Sequence, residues 1–459
     1  MTNFDVVIKG RIVLSNEVID GEIGVVNGKI EAIERTQGSL VGEQIIDATG
    51  QMILPGVIDG HVHAFSNPEE GLIATTSAAA AGGVTTIIDM PYDLPNPVNN
   101  LESFLKKVDL VEKEVLVDTC LWGTIAKENG AEAIDDLATA GACAFKMSTF
   151  ETDSYRFPRI SDVDIMKAMS KLSEYDLVAA FHAENDEMIV DLIEEYQKAG
   201  KVYPKAHMES RPPVTETTAV LKLMELSHWA DAKLHIVHVS HPRTISLIQQ
   251  FKKQGVKVTA ETCYPYLLLS VNDLEKFGPK AKNNPPLRYE KDVEGLWNQL
   301  MDGEIDFITT DHAPWKNEQK ERGAENIFLA ASGMPGLDIM VPLMYEAAVK
   351  KRGMAVEQFA KIMSQNVADI YGIPNKGRIE VGYDADFTII DSSKSYVIEE
   401  KNLHSNAKLT PFDGVEVSCS IARTIIRGET VFNGEKITVE PGFGKFVPGK
   451  AYKGTRLTV

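Results

Sequence analysis

Apolar residues follow one pattern in the middle of the chain and another at its two ends. In the middle, eight apolar, β-branched runs alternate with segments long enough to form helices. These runs span residues 52–63, 83–90, 117–125, 142–149, 177–184, 233–240, 257–264 and 305–312. Such alternation is typical of a parallel sheet covered by helices on both faces. Eight strands favour a closed (β/α)8 TIM barrel over an open doubly wound sheet.

The two ends of the chain contain short strand patterns. Residues 4–9, 23–26 and 29–33 are strand-like, and Asn27-Gly28 predicts a tight hairpin turn. Similar strand patterns return near the C-terminus, at 385–391 and 424–427. We therefore predict an α/β protein in which a barrel domain over 52–375 carries a small β-sandwich domain. That domain is built from both termini, 1–51 and 376–459, and two separate β appendages are the alternative.

Composition and charge exclude several classes of partner. The 459 residues include 47 Lys and Arg against 66 Asp and Glu, which gives a formal net charge of −19. This acidic balance argues against nucleic acid and anionic membranes as partners, because both attract clustered basic residues. Apolar runs such as 84–88 are too short to span a bilayer, and no signal peptide is visible. The four cysteines form no CxxC pair, so we expect reduced thiols and a cytoplasmic enzyme.

Potential metal ligands are concentrated where the predicted barrel strands end. Four of the ten histidines lie there, together with a lysine and an aspartate. These residues are His61, His63, Lys146, His182, His238 and Asp311. Residues i and i+2 of a strand point to the same face, so His61 and His63 project together into the barrel mouth. Two such imidazoles can bind one divalent ion, whereas a lone histidine is more often a hydrogen-bonded core residue.

Lys146 lies in an apolar strand, where a charged amine is costly to bury. A buried lysine can lose its proton, and the neutral amine can add CO2 to form a carbamate that bridges two metal ions. An ion pair with Asp311 is the alternative, and the strand alone favours it. Asp311 itself could serve as a metal ligand or as a general base. Alternation turns His312 and His235 away from the barrel interior, so we expect packing or supporting hydrogen bonds from them.

Several motifs resemble those of the amidohydrolase superfamily, and within it those of the cyclic amidohydrolases. This group comprises allantoinases, hydantoinases, dihydropyrimidinases and dihydroorotases. The matching residues are Pro55-Gly56-Val57-Ile58-Asp59-Gly60-His61-Val62-His63, Phe145-Lys146, His182-Ala183-Glu184, His238-Val239-Ser240 and Thr310-Asp311-His312. As a set and in this order the motifs are highly specific, and the resemblance covers nearly the whole chain.

The resemblance implies a binuclear metal centre, commonly of zinc, with manganese, cobalt or iron as other options. His61, His63 and Asp311 would hold the more buried ion, and His182 and His238 the more exposed one. Lys146, carboxylated by CO2 to N6-carboxylysine, would bridge the two ions together with a hydroxide. Asp311 would also be the catalytic base that passes a proton to the departing ring nitrogen.

The resemblance further implies that backbone groups at three positions clamp the ring amide of a small-molecule substrate. These positions are Asn284, Ser332 and Gly333. It also implies a homo-oligomer, either a tetramer or a dimer.

Departures from the motifs of related enzymes narrow the expected substrate. Dihydroorotases carry an arginine where this chain has Phe65, and dihydropyrimidinases carry a tyrosine where it has Glu151. Tyr155 is nearby but out of register, and segment 66–71 lacks a motif that is frequent in allantoinases. Segments 261–263 and 284–288, however, fit the allantoinase and hydantoinase branch.

We therefore expect hydrolysis of allantoin or a 5-substituted hydantoin to an N-carbamoyl acid, with a dihydropyrimidine as the alternative substrate. A non-catalytic structural relative is disfavoured because all six ligand positions are filled. A mononuclear deaminase is disfavoured because such enzymes generally lack the bridging lysine.

Overall fold

The computed structural model describes residues 3–454 of the chain. The N-terminal part forms four strands, which are β1 (Asn3–Val13), β2 (Val18–Val26), β3 (Lys29–Glu34) and β4 (Val41–Pro55). Asn27 and Gly28 join β2 to β3 with φ angles of 52° and 76°. Positive φ at both central residues is what a type I′ hairpin requires, so the predicted turn lies where the sequence places it.

Eight parallel strands follow and form a nearly closed barrel, in which each strand is hydrogen-bonded to the next along the chain. They are β5 (Val57–Val62), β6 (Val84–Asp89), β7 (Asp118–Gly123), β8 (Ala144–Ser148), β9 (Val178–His182), β10 (Lys233–Ile236), β11 (Val258–Cys263) and β12 (Phe307–Thr309). Each of the eight predicted runs contains one of these strands. A bridge between Val62 and His312 brings the end of β5 beside the segment that follows β12. The predicted TIM barrel is confirmed.

Helices cover the outside of the barrel. The α-helices are α1 (Gly71–Ala81), α2 (Leu101–Glu114), α3 (Ile134–Ala140), α4 (Asp162–Glu174), α5 (Asp186–Lys198), α6 (Ala206–Glu209), α7 (Pro213–Ala230), α8 (Pro242–Lys253), α9 (Tyr264–Leu268), α10 (Val271–Phe277), α11 (Glu290–Met301), α12 (Asn317–Glu321), α13 (Met340–Met344), α14 (Val356–Ala360) and α15 (Asn366–Tyr371). Two π-helical segments, Tyr345–Lys351 and Lys361–Gln365, and four short 3-10 segments, Gly130–Ala133, Gly278–Ala281, Ile327–Leu329 and Glu400–Asn402, complete the helical part. Asn100, Ser161 and Asn185 cap α2, α4 and α5 through side-chain oxygens that accept backbone N–H bonds.

The C-terminal part adds the remaining strands, which are β13 (Phe387–Asp391), β14 (Tyr396–Val397), β15 (Glu416–Val417), β16 (Ser420–Ile426) and β17 (Glu429–Phe432). Seven strands from both ends form one sheet in the order β17-β16-β13-β4-β1-β2-β3. In it β13 pairs with β4, so the two ends of the chain form one β unit rather than two appendages.

Each sheet has its own apolar core. Ile8, Ile23, Ile53 and Phe387 belong to a buried cluster within the seven-stranded sheet, and a larger cluster fills the space between the barrel and its helices. Only Gly56 separates β4 from the first barrel strand, so the chain passes directly from one sheet into the other. Among residues 3–454, no helix is both long and apolar enough to cross a membrane.

Candidate metal centre and substrate cavity

All six predicted metal ligands line one cavity of about 270 Å³ at the barrel mouth. His61 and Lys146 lie within β5 and β8, and His182 is the last residue of β9. His238 and Asp311 follow the ends of β10 and β12 and take left-handed backbone conformations, with φ of 41° and 48°. Non-glycine residues rarely adopt such angles, and where they do, the site is often a functional one.

Three of these residues converge on one point. His61 Nε2 and His63 Nε2 are 3.3 Å apart, and Asp311 Oδ1 lies 3.2 Å from the first and 3.3 Å from the second. All three ligand atoms lie within 4.8 Å of one another. Burial lowers the pKa of both imidazoles, which favours the neutral form that binds metals. The group can therefore offer two nitrogens and one oxygen to a divalent ion.

Lys146 lies directly beside this group. Its Nζ is 3.1 Å from His61 Nε2, and the side chain is 1% exposed. Burial lowers the pKa of the amine to about 8, although Asp311 and Glu261 act in the opposite direction. Asp311 makes its close contacts with the two imidazoles, and no salt bridge joins Lys146 to a carboxylate anywhere in residues 3–454. The geometry thus gives no support to the ion-pair alternative, and an amine of this kind is readily deprotonated.

His182 and His238 form a second pair of candidate ligands. His182 Nδ1 lies 3.0 Å from His238 Nε2, while His182 Nε2 is bonded to Glu184 at 2.8 Å. Burial opposes ionisation of Glu184, but Arg211 Nη1 at 2.6 Å and the His182 contact outweigh it and hold the pKa of this carboxyl at about 2. The carboxylate accepts the Nε2 proton, which leaves the Nδ1 lone pair of His182 directed at the cavity.

Glu261 supports the first group, although burial raises the pKa of its carboxyl to about 8. Its Oε1 lies 2.6 Å from His61 Nδ1, and its Oε2 lies 3.2 Å from His235 Nε2. His61 consequently presents Nε2 to Lys146 and Asp311. His235 stacks on Phe307 and contributes to the support of the site rather than to the cavity wall.

The donor set as a whole fits divalent metal ions. Imidazole nitrogens and carboxylate oxygens are the ligands that zinc and neighbouring transition metals accept, and His61 and His182 each have a buried carboxylate partner that orients the ring. The ring centroids of His61 and His238 are 5.4 Å apart, so the two ligand groups are adjacent within one cavity.

The three predicted substrate-binding residues, Asn284, Ser332 and Gly333, line the same cavity. Two buried lysines, Lys282 and Lys320, connect the segment of Asn284 to the segment of Ser332 and Gly333. Lys282 accepts a bond from Gly333 N at 2.9 Å through its carbonyl, and its Nζ donates to Ala330 O at 2.6 Å. Lys320 Nζ also donates to the Lys282 carbonyl, at 3.2 Å. The two segments, and the backbone groups that they place at the cavity, are therefore held in a fixed position relative to each other.

Comparison with known proteins agrees with this architecture. Residues 52–431 match the amidohydrolase family. The chain belongs to the amidohydrolase family. It is similar to the allantoinase of Rubrobacter xylanophilus, with 34% identity over 460 residues that cover 99% of this chain and 100% of that protein.

Solved structures of hydantoinases are also similar. The L-hydantoinase (dihydropyrimidinase) from Arthrobacter aurescens has a TM-score of 0.94 and 32% identity, covering 97% of this chain and 100% of its own. The D-hydantoinase (dihydropyrimidinase) from Thermus sp. has a TM-score of 0.90 and 26% identity, covering 97% and 99%. The predictions of a cyclic amidohydrolase and of metal-dependent hydrolysis of a cyclic amide are confirmed at this level.

Several residues of the cavity wall of this amidohydrolase had no role predicted from the sequence. Tyr92, Arg156, Phe157 and Trp315 line the cavity. The rings of Tyr92 and Phe157 stack with centroids 3.6 Å apart, and Phe157 meets His182 edge to face at 5.8 Å. These residues come from segments that follow different strands, so no local spacing could have identified them.

In the sequence, the two carboxylates that support the histidines, Glu184 and Glu261, could be recognised only as parts of motifs. Glu184 stands two residues after His182, on the same side of the strand end, which is a usable signal for a partner. Glu261 lies in an apolar strand where a charge is unusual, but its contact with His61 spans 200 residues. His312 is buried and accepts the Gly336 N–H at its Nδ1, so it holds the chain beyond β12 and does not line the cavity.

Proposed function

We propose that this amidohydrolase opens the five-membered ring of allantoin or of a 5-substituted hydantoin and releases an N-carbamoyl acid. The observation that carries the proposal is the convergence of His61, His63 and Asp311 beside the buried Lys146. The relatives named allantoinase and L-hydantoinase cover nearly the whole chain, which supports a five-membered ring as the substrate.

In this proposal His61, His63 and Asp311 would hold one ion and His182 and His238 the other, and Lys146, carboxylated to N6-carboxylysine, would be a ligand shared by both. Bound divalent ions would lower the pKa of a water molecule and polarise the ring carbonyl. Asp311 accepts the proton of the attacking water and returns it to the ring nitrogen as the carbon–nitrogen bond breaks. Backbone groups of Asn284, Ser332 and Gly333 hold the ring amide while this happens.

Four further predictions belong to the same proposal. The ions are zinc, with manganese, cobalt or iron as alternatives, and CO2 carboxylates Lys146. The protein is a homotetramer or a homodimer. It acts in the cytoplasm. The chain divides into a barrel domain over 52–375 and a β-sandwich domain over 1–51 and 376–459.

A dihydropyrimidine is the second candidate, because the similar hydantoinases also carry the name dihydropyrimidinase. Neither residue at or near the position of the tyrosine expected for that reaction lines the cavity. Glu151 stands at that position and is bonded to Lys127 at 2.7 Å, while Tyr155 is 60% exposed and bonds Asn96. Five-membered rings are therefore the preferred substrates.

The test is a ring-opening screen of the metal-loaded protein against allantoin, hydantoin, 5-substituted hydantoins, dihydrouracil and dihydroorotate. The carbamoyl product is detected directly, and the metal content of the same sample is measured. We expect two metal ions per chain and rapid opening of a five-membered ring. Preferred turnover of dihydrouracil would favour the second candidate, and a metal-free protein without turnover would contradict the catalytic assignment.

A further inference from the structure

The cavity wall contains a cation without a counterion. Arg156 lines the cavity, and its Nη1 donates one bond to the Tyr92 carbonyl at 2.8 Å. Its Nε is buried without a hydrogen-bond partner, and within residues 3–454 no salt bridge joins its guanidinium to a carboxylate. Such isolation is unusual in a protein with 66 acidic residues and a net charge of −19. A partly buried guanidinium with an unpaired nitrogen favours a partner that can accept hydrogen bonds.

The carboxylates nearest to Arg156 are engaged elsewhere. Asp153 Oδ1 accepts the backbone N–H groups of Tyr155 and Arg156, at 3.0 and 2.7 Å. Asp93 lies 2.8 Å from the buried amine of Lys107. Both carboxylates act on Arg156 electrostatically, but neither forms a salt bridge with the guanidinium.

The segment that carries Arg156 is held in a fixed turn. Asp153 and Phe157 exchange two backbone bonds, with Asp153 N to Phe157 O at 3.1 Å and Phe157 N to Asp153 O at 3.0 Å. This turn directs Tyr155 outward and brings Arg156 and Phe157 to the cavity. Binding to Arg156 would therefore require little ordering of the loop.

Arg156 also differs from the other charged residues of the cavity wall. Lys146 and Asp311 are committed to the metal centre under the proposed function, which leaves Arg156 as the remaining positive side chain among the cavity-lining residues described. It contacts the Tyr92 backbone, while the Tyr92 ring lies between those of His63, at 6.4 Å, and Phe157. The guanidinium thus lines the same cavity as these aromatic rings and the candidate metal ligands.

We propose that Arg156 is a specificity-determining residue that selects rings whose substituent carries a carbonyl or carboxylate acceptor. The inference rests on the proposed function and deepens it by naming the class of substituent. The ureido group of allantoin and a carboxymethyl group both supply this chemistry, whereas an alkyl or aryl substituent offers the guanidinium no hydrogen-bond acceptor. Arg156 takes no part in ring opening itself.

The experiment compares four hydantoins with the wild-type enzyme and with Arg156→Met. Three of them, the 5-carboxymethyl, 5-carbamoylmethyl and 5-isobutyl compounds, are close in shape, and unsubstituted hydantoin reports ring opening alone. Loss of one charged hydrogen bond corresponds to roughly a 10- to 100-fold fall in kcat/KM. We expect that fall for the two acceptor-bearing rings and less than about a threefold change for the other two.

A matched control and a binding measurement complete the test. Arg159→Met removes an arginine of the same segment that is partly exposed, is bonded to Asp186 at 3.1 Å and does not line the cavity, so it should behave like wild type. Calorimetry on the slow variant Asp311→Asn, with and without Arg156→Met, should reproduce the same preference in Kd. Allantoin is included so that the ureido and carboxylate acceptors can be ranked.

The possible outcomes separate this inference from the proposed function. Equal losses on all four rings would assign Arg156 a purely structural role and overturn the inference. A wild-type preference for the isobutyl ring would also overturn it, while leaving ring hydrolysis intact. Failure to open any ring would contradict the proposed function, and the Kd preference of the Asp311→Asn protein would then decide the role of Arg156.

Discussion

Lys146 and Lys376 are both buried, at 1% and 3% exposure, yet their surroundings act on them in opposite directions. Lys146, at the mouth, has no salt bridge among residues 3–454, and burial lowers its pKa to about 8. Burial also disfavours the charged form of Lys376, but three carboxylates outweigh it and raise the pKa of this amine. Its Nζ lies 2.8 Å from Asp118, 2.6 Å from Asp386 and 3.1 Å from Asp384.

The two lysines lie at opposite ends of the barrel strands. Asp118 is the first residue of β7, and Arg427 of the terminal sheet also bonds it, so the paired cluster joins the barrel to that sheet. When a buried charge is completely paired, all of its hydrogen bonds are used within the protein, and its role is structural. At the mouth the buried groups are incompletely paired. The lone pairs of the histidines and the amine of Lys146 are therefore available to metal ions, CO2 and substrate.

The largest expected effect comes from removing the unpaired amine. Lys146→Ala should abolish ring opening and weaken metal retention, because the proposed bridge between the two ions is lost. A short carboxylic acid in the buffer should restore part of the activity by occupying the vacated position. The measurements are turnover and metal content per chain, with and without the acid, alongside a circular dichroism spectrum. Near-normal rates with two metal ions per chain would contradict the carbamate bridge.

Removing the paired amine should change stability instead of chemistry. Lys376→Met removes the cation shared by three carboxylates and leaves Asp386 without one, while Asp118 keeps Arg427 and Asp384 keeps Lys29. We expect a loss of about 3–5 kcal/mol in the free energy of unfolding. Urea denaturation measures this loss, and kcat at low temperature should stay close to wild type. The exposed Lys401, whose side chain is 73% exposed, supplies the control Lys401→Met, which should shift the unfolding free energy by less than about 0.5 kcal/mol.

The same cluster predicts a pH dependence of stability. The pKa of Lys376 is higher in the folded than in the unfolded chain, so its contribution is fully present below the unfolded pKa of about 10.4. That contribution should decline as the pH rises above this value, and wild type should then approach the Lys376→Met variant. Parallel urea curves of both proteins between pH 8 and 11 measure the difference. A gap that stayed constant through pH 11 would contradict the assignment.

A smaller effect is expected from the carboxylate behind the second histidine pair. Glu184→Gln removes the charge that orients His182 and leaves Arg211 without its ion pair, so one metal ion should bind about 10- to 100-fold more weakly. Competition with a chelator, followed by metal analysis, measures this change, and half of the metal should leave first. Glu187→Gln, in the exposed first turn of α5, is the matched control and should retain both ions. Equal weakening of both ions would argue against a local role for Glu184.

The strand pattern and the strand-end histidines could be predicted because both depend on local regularity. A buried parallel strand can be recognised in the sequence as a continuous apolar run. The last residues of such strands lie at the mouth of the barrel, which brings His61, His182 and His238 into one region. Arg156 and Trp315 gave no comparable signal, since irregular segments carry them into the cavity. Tyr155, although aromatic and close in number to the expected position, is directed away from the cavity by the turn at Asp153.

The sequence by itself determined the barrel, the terminal β unit and the residue types at the mouth, because period and strand order depend on neighbours along the chain. Only the tertiary structure decided which buried charges are paired. Lys376 meets Asp118 across 258 residues, and His61 meets Glu261 across 200. The protonation of a buried amine depends on the charges a few ångströms away. Folding places three carboxylates in salt-bridge contact with Lys376 and, among residues 3–454, none with Lys146.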